Sequence, residues 1–376
     1  MRLPLGALTA LAMAAFSTVL TEALPAGVLP AMSADLRVSE SAMGQAVTIY
    51  AIGTALAAIP LSVVTAAWRR KRLLLTGIVG FAVANTVTAI SADFLLTMVG
   101  RFTAGVAAGL IWALLAGYAG RLAPPELRGK AIAIVMAGIP LALSLGVPAG
   151  TFLGDAVGWR VTFWVMTGLA VVLVGWTVLL VPDHPGQGGR IALRRTAAMP
   201  GVAPVLFITF VFVLAHTILY TYVATFLDRA GMAGSTDVVL LVFGVASVIG
   251  IWVVGAHIDR RPRGLLVAAT ILFAVAVTLL ATSPALVYLA VALWGFGFGG
   301  VPTLLQTAVG KAGGDTAQAM LVTLWNLAMA GGGVVGGVLL DAFGPLSFPW
   351  TGLILTAPVL IVALSWGKPV SVRPVR

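Results

Sequence analysis

Glu22 and Arg101 are the two charges that fall deep inside long apolar runs; the other acids and bases sit in polar loops or near the ends of such runs. An ionised side chain at membrane depth costs about 2.5 to 3.5 kcal/mol on insertion scales, so each needs a partner, a water-filled cavity or a proton. A carboxylate's proton affinity depends on its hydration and on the nearness of a positive charge. A glutamate that approaches and leaves an arginine can therefore load a proton on one side of a membrane and release it on the other. The alternative is a fixed ionised pair that holds two helices together.

A second set of residues is polar without charge. His216 and Tyr220 in LAHTILYTYVATF are four apart and share a helical face, with Tyr222 close by. Gln45, Tyr50, Asn85, Gln306 and Asn326 fall at cavity depth in other runs, while Trp112, Trp294 and Trp325 could stack on a solute or simply pack. A cavity with so few polar groups suits a lipophilic solute better than a sugar. The chain has no cysteine, and its three histidines, at 184, 216 and 257, are scattered. No metal, cofactor or catalytic dyad is expected, so the enzyme reading is set aside; a receptor or scaffold remains compatible with the residues.

These residues need elements to hold them. The chain is 376 residues long, 60% hydrophobic and 9% charged, with mean hydropathy +1.08, so most of its surface must face lipid. Cutting at polar clusters gives twelve candidate helices: 5 to 30, 41 to 67, 73 to 92, 94 to 120, 129 to 154, 159 to 181, 201 to 227, 237 to 258, 265 to 282, 285 to 309, 316 to 341 and 347 to 366. The apolar N-terminus is read as the first of these rather than as a cleaved signal.

Eighteen of the 22 Lys and Arg fall in the termini and the loops on their side. That bias places both termini in the cytoplasm, and the net charge of +10 becomes a topology signal rather than a nucleic-acid surface. The first span runs outward and the fourth inward. Glu22 then lies about 10 Å and Arg101 about 12 Å from the same face, at about 1.5 Å per residue. The pair is expected to interact, directly or through water. Pro25, three residues past Glu22, can disturb the ladder around Thr21, so the backbone there must find other partners or water.

The Pro/Gly/Arg-rich stretch 182 to 201 divides six spans from six, giving bundles at 1–182 and 200–376 joined by a linker at 183–199. G-x4-D-A-x-G-x5-W recurs at Gly150, Asp155, Gly158, Trp164 and at Gly336, Asp341, Gly344, Trp350, an offset of 186. Two copies with even span counts share one orientation, as in a parallel repeat. Gly138, Ala142, Gly146, Gly150 and Gly154 recur every fourth residue around Pro140 and Pro148. Such a stripe is either ordinary close helix packing or a smooth seam on which the bundles rock.

These stretches together resemble the major facilitator superfamily, and within it the twelve-helix drug:proton antiporters of the bacterial arabinose-polymer, sugar and chloramphenicol efflux branch. The resemblance covers essentially the whole chain. It is carried by Glu22 to Pro30 in the first span, Arg101-x3-Gly105-x3-Gly109 in the fourth, and Pro125, Arg128, Gly129 and Ala131 in the loop that follows. Gly146-Val-Pro148-Ala-Gly150 and the Gly-Trp-Arg at 158–160 add to it, as does Gly255-x3-Asp259-Arg260-x-Pro262-Arg263. In the first-half copy of that last loop only the basic run 69–72 survives, and Thr65 or a neighbour stands where an acid belongs.

The resemblance implies an all-α integral membrane protein of twelve helices in two pseudo-symmetric six-helix bundles. Glu22 and Arg101 are the proton-coupling candidates on their depth in the spans, although in the family that is resembled the arginine is more often structural; Pro25, Gly146, Pro148, Gly150, Asp259, Arg260 and Arg263 are the gating candidates. The function expected is export of a small organic molecule by proton antiport, from a monomer in the bacterial inner membrane. Sugar or nucleoside efflux without obligatory proton coupling is the alternative.

Overall fold

The computed structural model describes residues 3–65, 67–124, 127–186, 193–258 and 260–365. Among them are twelve helices long and apolar enough to cross a bilayer, and no strand. The first six are Leu5–Gly27, Glu40–Ala58, Arg70–Ile90, Phe94–Arg121, Lys130–Val157 and Trp159–Leu180. The second six are Val202–Thr221, Ala233–His257, Pro262–Thr282, Val287–Gly313, Ala317–Phe343 and Ser347–Ser365. Hydrocarbon offers no partner to a backbone amide, so a chain this apolar folds as helices that satisfy their own ladders. Leu179, Trp252 and Phe343 are 80, 76 and 75% exposed, which water would penalise and lipid does not.

The boundaries differ from those expected where proline acts. The first span stops at Gly27, bends at Val28 (φ −114°, ψ 14°) and resumes as Leu29–Leu36. Pro30 starts that second helix, where its missing N–H has no ladder bond to break. The fifth span is interrupted twice. Arg128–Met136 and Gly138–Leu141 are followed by a π-turn over Ala142–Gly146, and the α-helix resumes at Val147–Val157 with Pro148 in its first turn. The tenth and eleventh spans join so tightly that helical hydrogen bonding runs from Val301 to Phe343, yet the chain folds back within it. Gln318 Nε2 reaches Gln306 O, 12 residues earlier, at 3.1 Å.

The repeat holds at the level of backbone geometry. Gly158 (φ 96°) ends the fifth span and Gly344 (φ 74°) the eleventh, each in a conformation that favours glycine. A second repeat has no obvious sequence signature. Thr54 Oγ1 bonds Tyr50 O (3.1 Å) and Gly105 O (3.0 Å), where the second and fourth spans cross. Ser247 Oγ bonds Phe243 O (2.8 Å) and Gly295 O (3.1 Å), where the eighth and tenth cross. A Cβ on Gly105 would lie 2.0 Å from Tyr50 O, and one on Gly295 2.3 Å from Phe243 O. Each crossing thus requires a glycine beneath a hydroxyl-bearing turn.

The halves meet toward the face where the second span begins and the eleventh ends. Ser41 Oγ donates to Asp341 at 2.8 Å, and Thr225 donates to Glu40, so each half offers the other one acid and one hydroxyl. Further in, Gln45 Nε2 reaches Gly333 O (3.2 Å) and Thr48 Oγ1 reaches Ala330 O (3.3 Å). On the other flank a Cβ on Gly244 of the eighth span would lie 2.2 Å from Ser144 Cα in the fifth. The glycine stripe of the fifth span faces elsewhere. Gly138, Gly146, Gly150 and Gly154 press on Ala12, Phe16, Leu24 and Val28 of the first span, within one half.

A clamp secures the same face. Asp35 accepts from Trp159 Nε1 at 3.0 Å and from Arg160, which also donates to Ser91 O at 2.8 Å. The hydrogen bond from Arg160 holds the Asp35 carboxyl below the usual carboxylate range.

At the opposite face the basic run 69–72 finds its acid outside its own loop. Arg69 pairs with Asp183, whose other oxygen accepts from Lys71 N at 3.2 Å. Tyr118 Oη donates to Pro182 O (2.7 Å) and Arg121 to Pro185 O (3.0 Å), so the end of the sixth span is tied down from two sides.

Candidate functional site

The site begins with the gap in the first span's ladder. Pro25 cannot donate to Thr21 O, and Arg101 Nη1 does so instead at 2.6 Å. Its Nη2 reaches the backbone carbonyl of Glu22 at 3.4 Å, and its Nε that of Ala46 at 3.3 Å. The guanidinium lies 4.9 Å over the ring of Tyr50, whose Oη donates to Thr18 O at 3.1 Å. Arg101 is fully buried and joins the first, second and fourth spans.

Of the two forms of interaction expected, direct or through water, the direct ion pair between carboxylate and guanidinium is absent among the described residues. Arg101 spends its donors on carbonyls, because a proline-freed carbonyl in a dry interior has the greater need of them. The ion pairs among the described residues are Arg69–Asp183 and Arg160–Asp35. Glu22 is half-buried, within electrostatic range of Arg101, of Tyr50, and of Tyr220 from the other half. Its carboxylate is in neither of these ion pairs.

Buried polar atoms with no protein partner occur in the first, third and seventh spans: Ser17 Oγ, Asn85 Oδ1, Thr217 Oγ1, Tyr220 Oη and Thr221 Oγ1. Asn85 Nδ2 contacts Thr21 Oγ1 at 3.5 Å, placing Asn85 one residue from Glu22's own position on the helix.

The second half contributes a ring cluster. His216 lies 3.6 Å from Phe298 between ring centres, 5.2 Å from Tyr220, 5.4 Å from Trp294 and 5.8 Å from Phe243. Trp294 Nε1 donates to His216 Nδ1 at 3.0 Å. Trp325 stands 6.2 Å beyond Phe298 and is half-buried, as is Trp112 from the first half.

Other residues singled out by sequence fall elsewhere. Gln45 and Tyr222 belong to the contact between halves, where Tyr222 Oη meets Gly333 O at 2.9 Å and Ser41 O at 3.2 Å. Gln306 is exposed beside the turn between the tenth and eleventh spans. Asn326 is buried and bonds Val322 O of its own helix at 2.8 Å. Arg260 is exposed, Arg263 donates to Leu364 O, and Asp259 and Pro125 lie outside the described residues. A recess of about 510 Å³ lies between the ninth and twelfth spans, lined by residues such as Ala274, Leu353 and Leu360, and none of the residues singled out by sequence lines it.

Phe243, Phe298 and Trp325 were beyond sequence reasoning as members of one cluster. Their relation to His216 comes from the crossings of four spans rather than from any spacing.

Twelve spanning helices, a repeated crossing in each half and a charge buried among the spans of the first half fit a membrane transport protein. The chain belongs to the Major Facilitator Superfamily, whose profile matches residues 11–319. It is 32% identical to a chloramphenicol efflux pump of Mycobacterium tuberculosis strain H37Rv, over 89% of this chain and 86% of that protein. It is 28% identical to the purine ribonucleoside efflux pump NepI of Escherichia coli K12, over 93% of this chain and 92% of that one. The human organic anion transporter MFSD10 (TETRAN) shares the fold, with TM-score 0.74 at 16% identity, covering 96% of this chain and all of that one.

Proposed function

We propose that the chain exports a small organic molecule in exchange for protons, by alternating access between bundles at 1–182 and 200–376 linked through 183–199. It works as a monomer in the bacterial inner membrane with both termini cytoplasmic. With that orientation the face where Ser41 meets Asp341 and Thr225 meets Glu40 is the outer one. The observation that carries the proton step is Glu22: a carboxylate at the meeting of the halves, in range of Arg101 yet bound by no ion pair. Two relatives named as efflux pumps support the direction of transport.

The decisive measurement is chloramphenicol uptake into everted vesicles under an imposed pH gradient, compared with vesicles at equal pH. Uptake that follows the gradient in the parent and loses that dependence in Glu22→Gln supports antiport. Gradient-driven uptake unchanged in Glu22→Gln removes Glu22 from the coupling. Flux of a purine nucleoside that ignores the gradient favours the second reading, nucleoside efflux without obligatory coupling, to which the relative named NepI lends weight.

A further inference from the structure

Indole Nε1–H can donate a hydrogen bond and cannot accept one. The 3.0 Å contact from Trp294 Nε1 to His216 Nδ1 therefore requires Nδ1 to be bare. A neutral imidazole with bare Nδ1 carries its proton on Nε2, so the second nitrogen is a donor and nothing else. The ring is half-buried, and Nε2 has no protein partner, though it is not among the sealed, unpartnered atoms of the interior. Phe298, Tyr220, Trp294 and Phe243 crowd the imidazole, leaving its Nε2 edge as the polar approach. Tyr220, in van der Waals company with His216, is also in electrostatic range of Glu22, so this edge belongs to the same centre.

We propose that His216 is the solute-recognising donor of the transport site, with Trp294 as the positioning residue that fixes its tautomer. The site then selects solutes with an apolar body that present a hydrogen-bond acceptor, such as a nitro, carbonyl or ring-nitrogen group. A polar contact of this kind discriminates by what it leaves unpaired: a solute without the acceptor strands a desolvated N–H. The substrate class rests on the exporter reading above; the tautomer does not.

The test uses the full chain labelled with 15N-histidine in lipid nanodiscs, with His184→Gln and His257→Gln to assign the His216 signals. The parent should show the proton on Nε2 alone. Trp294→Phe keeps a ring and removes the donor, and should bring in the Nδ1–H form at a tenth of the population or more. Titrating chloramphenicol should shift the Nε2–H signal, and His216→Phe should weaken its binding about tenfold, the effect of one hydrogen bond near 1.4 kcal/mol. Thermal melts of the variants separate loss of the donor from loss of the fold. An Nδ1–H signal in the parent, or a pure Nε2–H signal in Trp294→Phe, overturns the positioning role. Equal chloramphenicol binding by His216→Phe, or no shift on titration, overturns the recognition role. Gradient-driven uptake that persists through either failure leaves the exporter reading standing, whereas its absence alongside the expected tautomer brings down that reading alone.

Discussion

Arg101 donates to the carbonyl of Thr21 at 2.6 Å, the carbonyl that Pro25 leaves without its helical partner. Proline and arginine, 76 positions apart in the chain, act as one device: the first opens the ladder and the second closes it from another helix. The remaining donors of the same guanidinium reach Ala46 O and Glu22 O, so the second span and the backbone of Glu22 are held by the same group.

That coupling is measurable. Arg101→Ala strands the Thr21 carbonyl and should destabilise the protein by about 1.5 to 3 kcal/mol, the range for hydrogen bonds to a charged group. Arg101→Lys should recover only part of the loss, since an ammonium cannot span three carbonyls with a planar fork. Pro25→Ala returns an N–H to Thr21, so the double variant Pro25→Ala with Arg101→Ala should lose less than the sum of the two. Thermal unfolding in nanodiscs across this cycle gives the interaction directly, and additivity would show that the proline and arginine act independently.

Tyr222 should govern how often the halves part. Its Oη meets Gly333 O and Ser41 O, one carbonyl in each half, and its ring fills the space over Gly44, where a Cβ would come within 2.2 Å of the Oη and 2.3 Å of the ring. Removing the hydroxyl in Tyr222→Phe costs about 1 kcal/mol, roughly a fivefold shift toward the open form. The cysteine-free sequence allows spin labels at Ala34→Cys and Ala342→Cys, both on exposed positions. The long-distance population should grow in Tyr222→Phe, and an unchanged distribution would exclude the latch.

The two glycine crossings should be equally intolerant. A methyl on Gly105 or on Gly295 meets a backbone carbonyl at 2.0 or 2.3 Å, and backbone cannot swing aside as a side chain can. Gly105→Ala and Gly295→Ala are each expected to cost about 1 to 3 kcal/mol, the range for overpacking. Similar falls in melting temperature would establish the crossings as equivalents; a large difference would separate them.

The clamp at Asp35 sets a pH window. Its carboxyl is held below the unfolded value by Arg160, so the stabilisation is fully present above about pH 4, the unfolded value, and is lost as pH falls through the folded one. Hydrogen exchange of the amides at 33–38 should be constant from neutral pH down to about pH 5, after correction for intrinsic rates, and rise in more acidic buffer. Asp35→Asn should show the faster exchange at every pH.

Composition determined that this chain lives in lipid, since with 9% charge and 60% apolar residues no water-soluble arrangement can bury the surface, and the spacing of its polar clusters determined that it does so as twelve helices. Glu22 and Arg101 were legible for the same reason, since a charge in an apolar run has no other explanation than need. Pro25 announced a freed carbonyl, because the ladder bond it breaks is local to four residues. What sequence could not determine is who answers across space. Arg101 turned to Thr21 rather than to the Glu22 carboxylate, Asp183 answered the basic run from beyond the sixth span, and Trp294 found His216. The glycines of the fifth span met the first span, while Gly244, outside any stripe, met the other half. Helix and lipid exposure follow from periodicity and transfer energy along the chain. Partner choice follows from how helices cross, and crossings depend on the shapes of two surfaces at once.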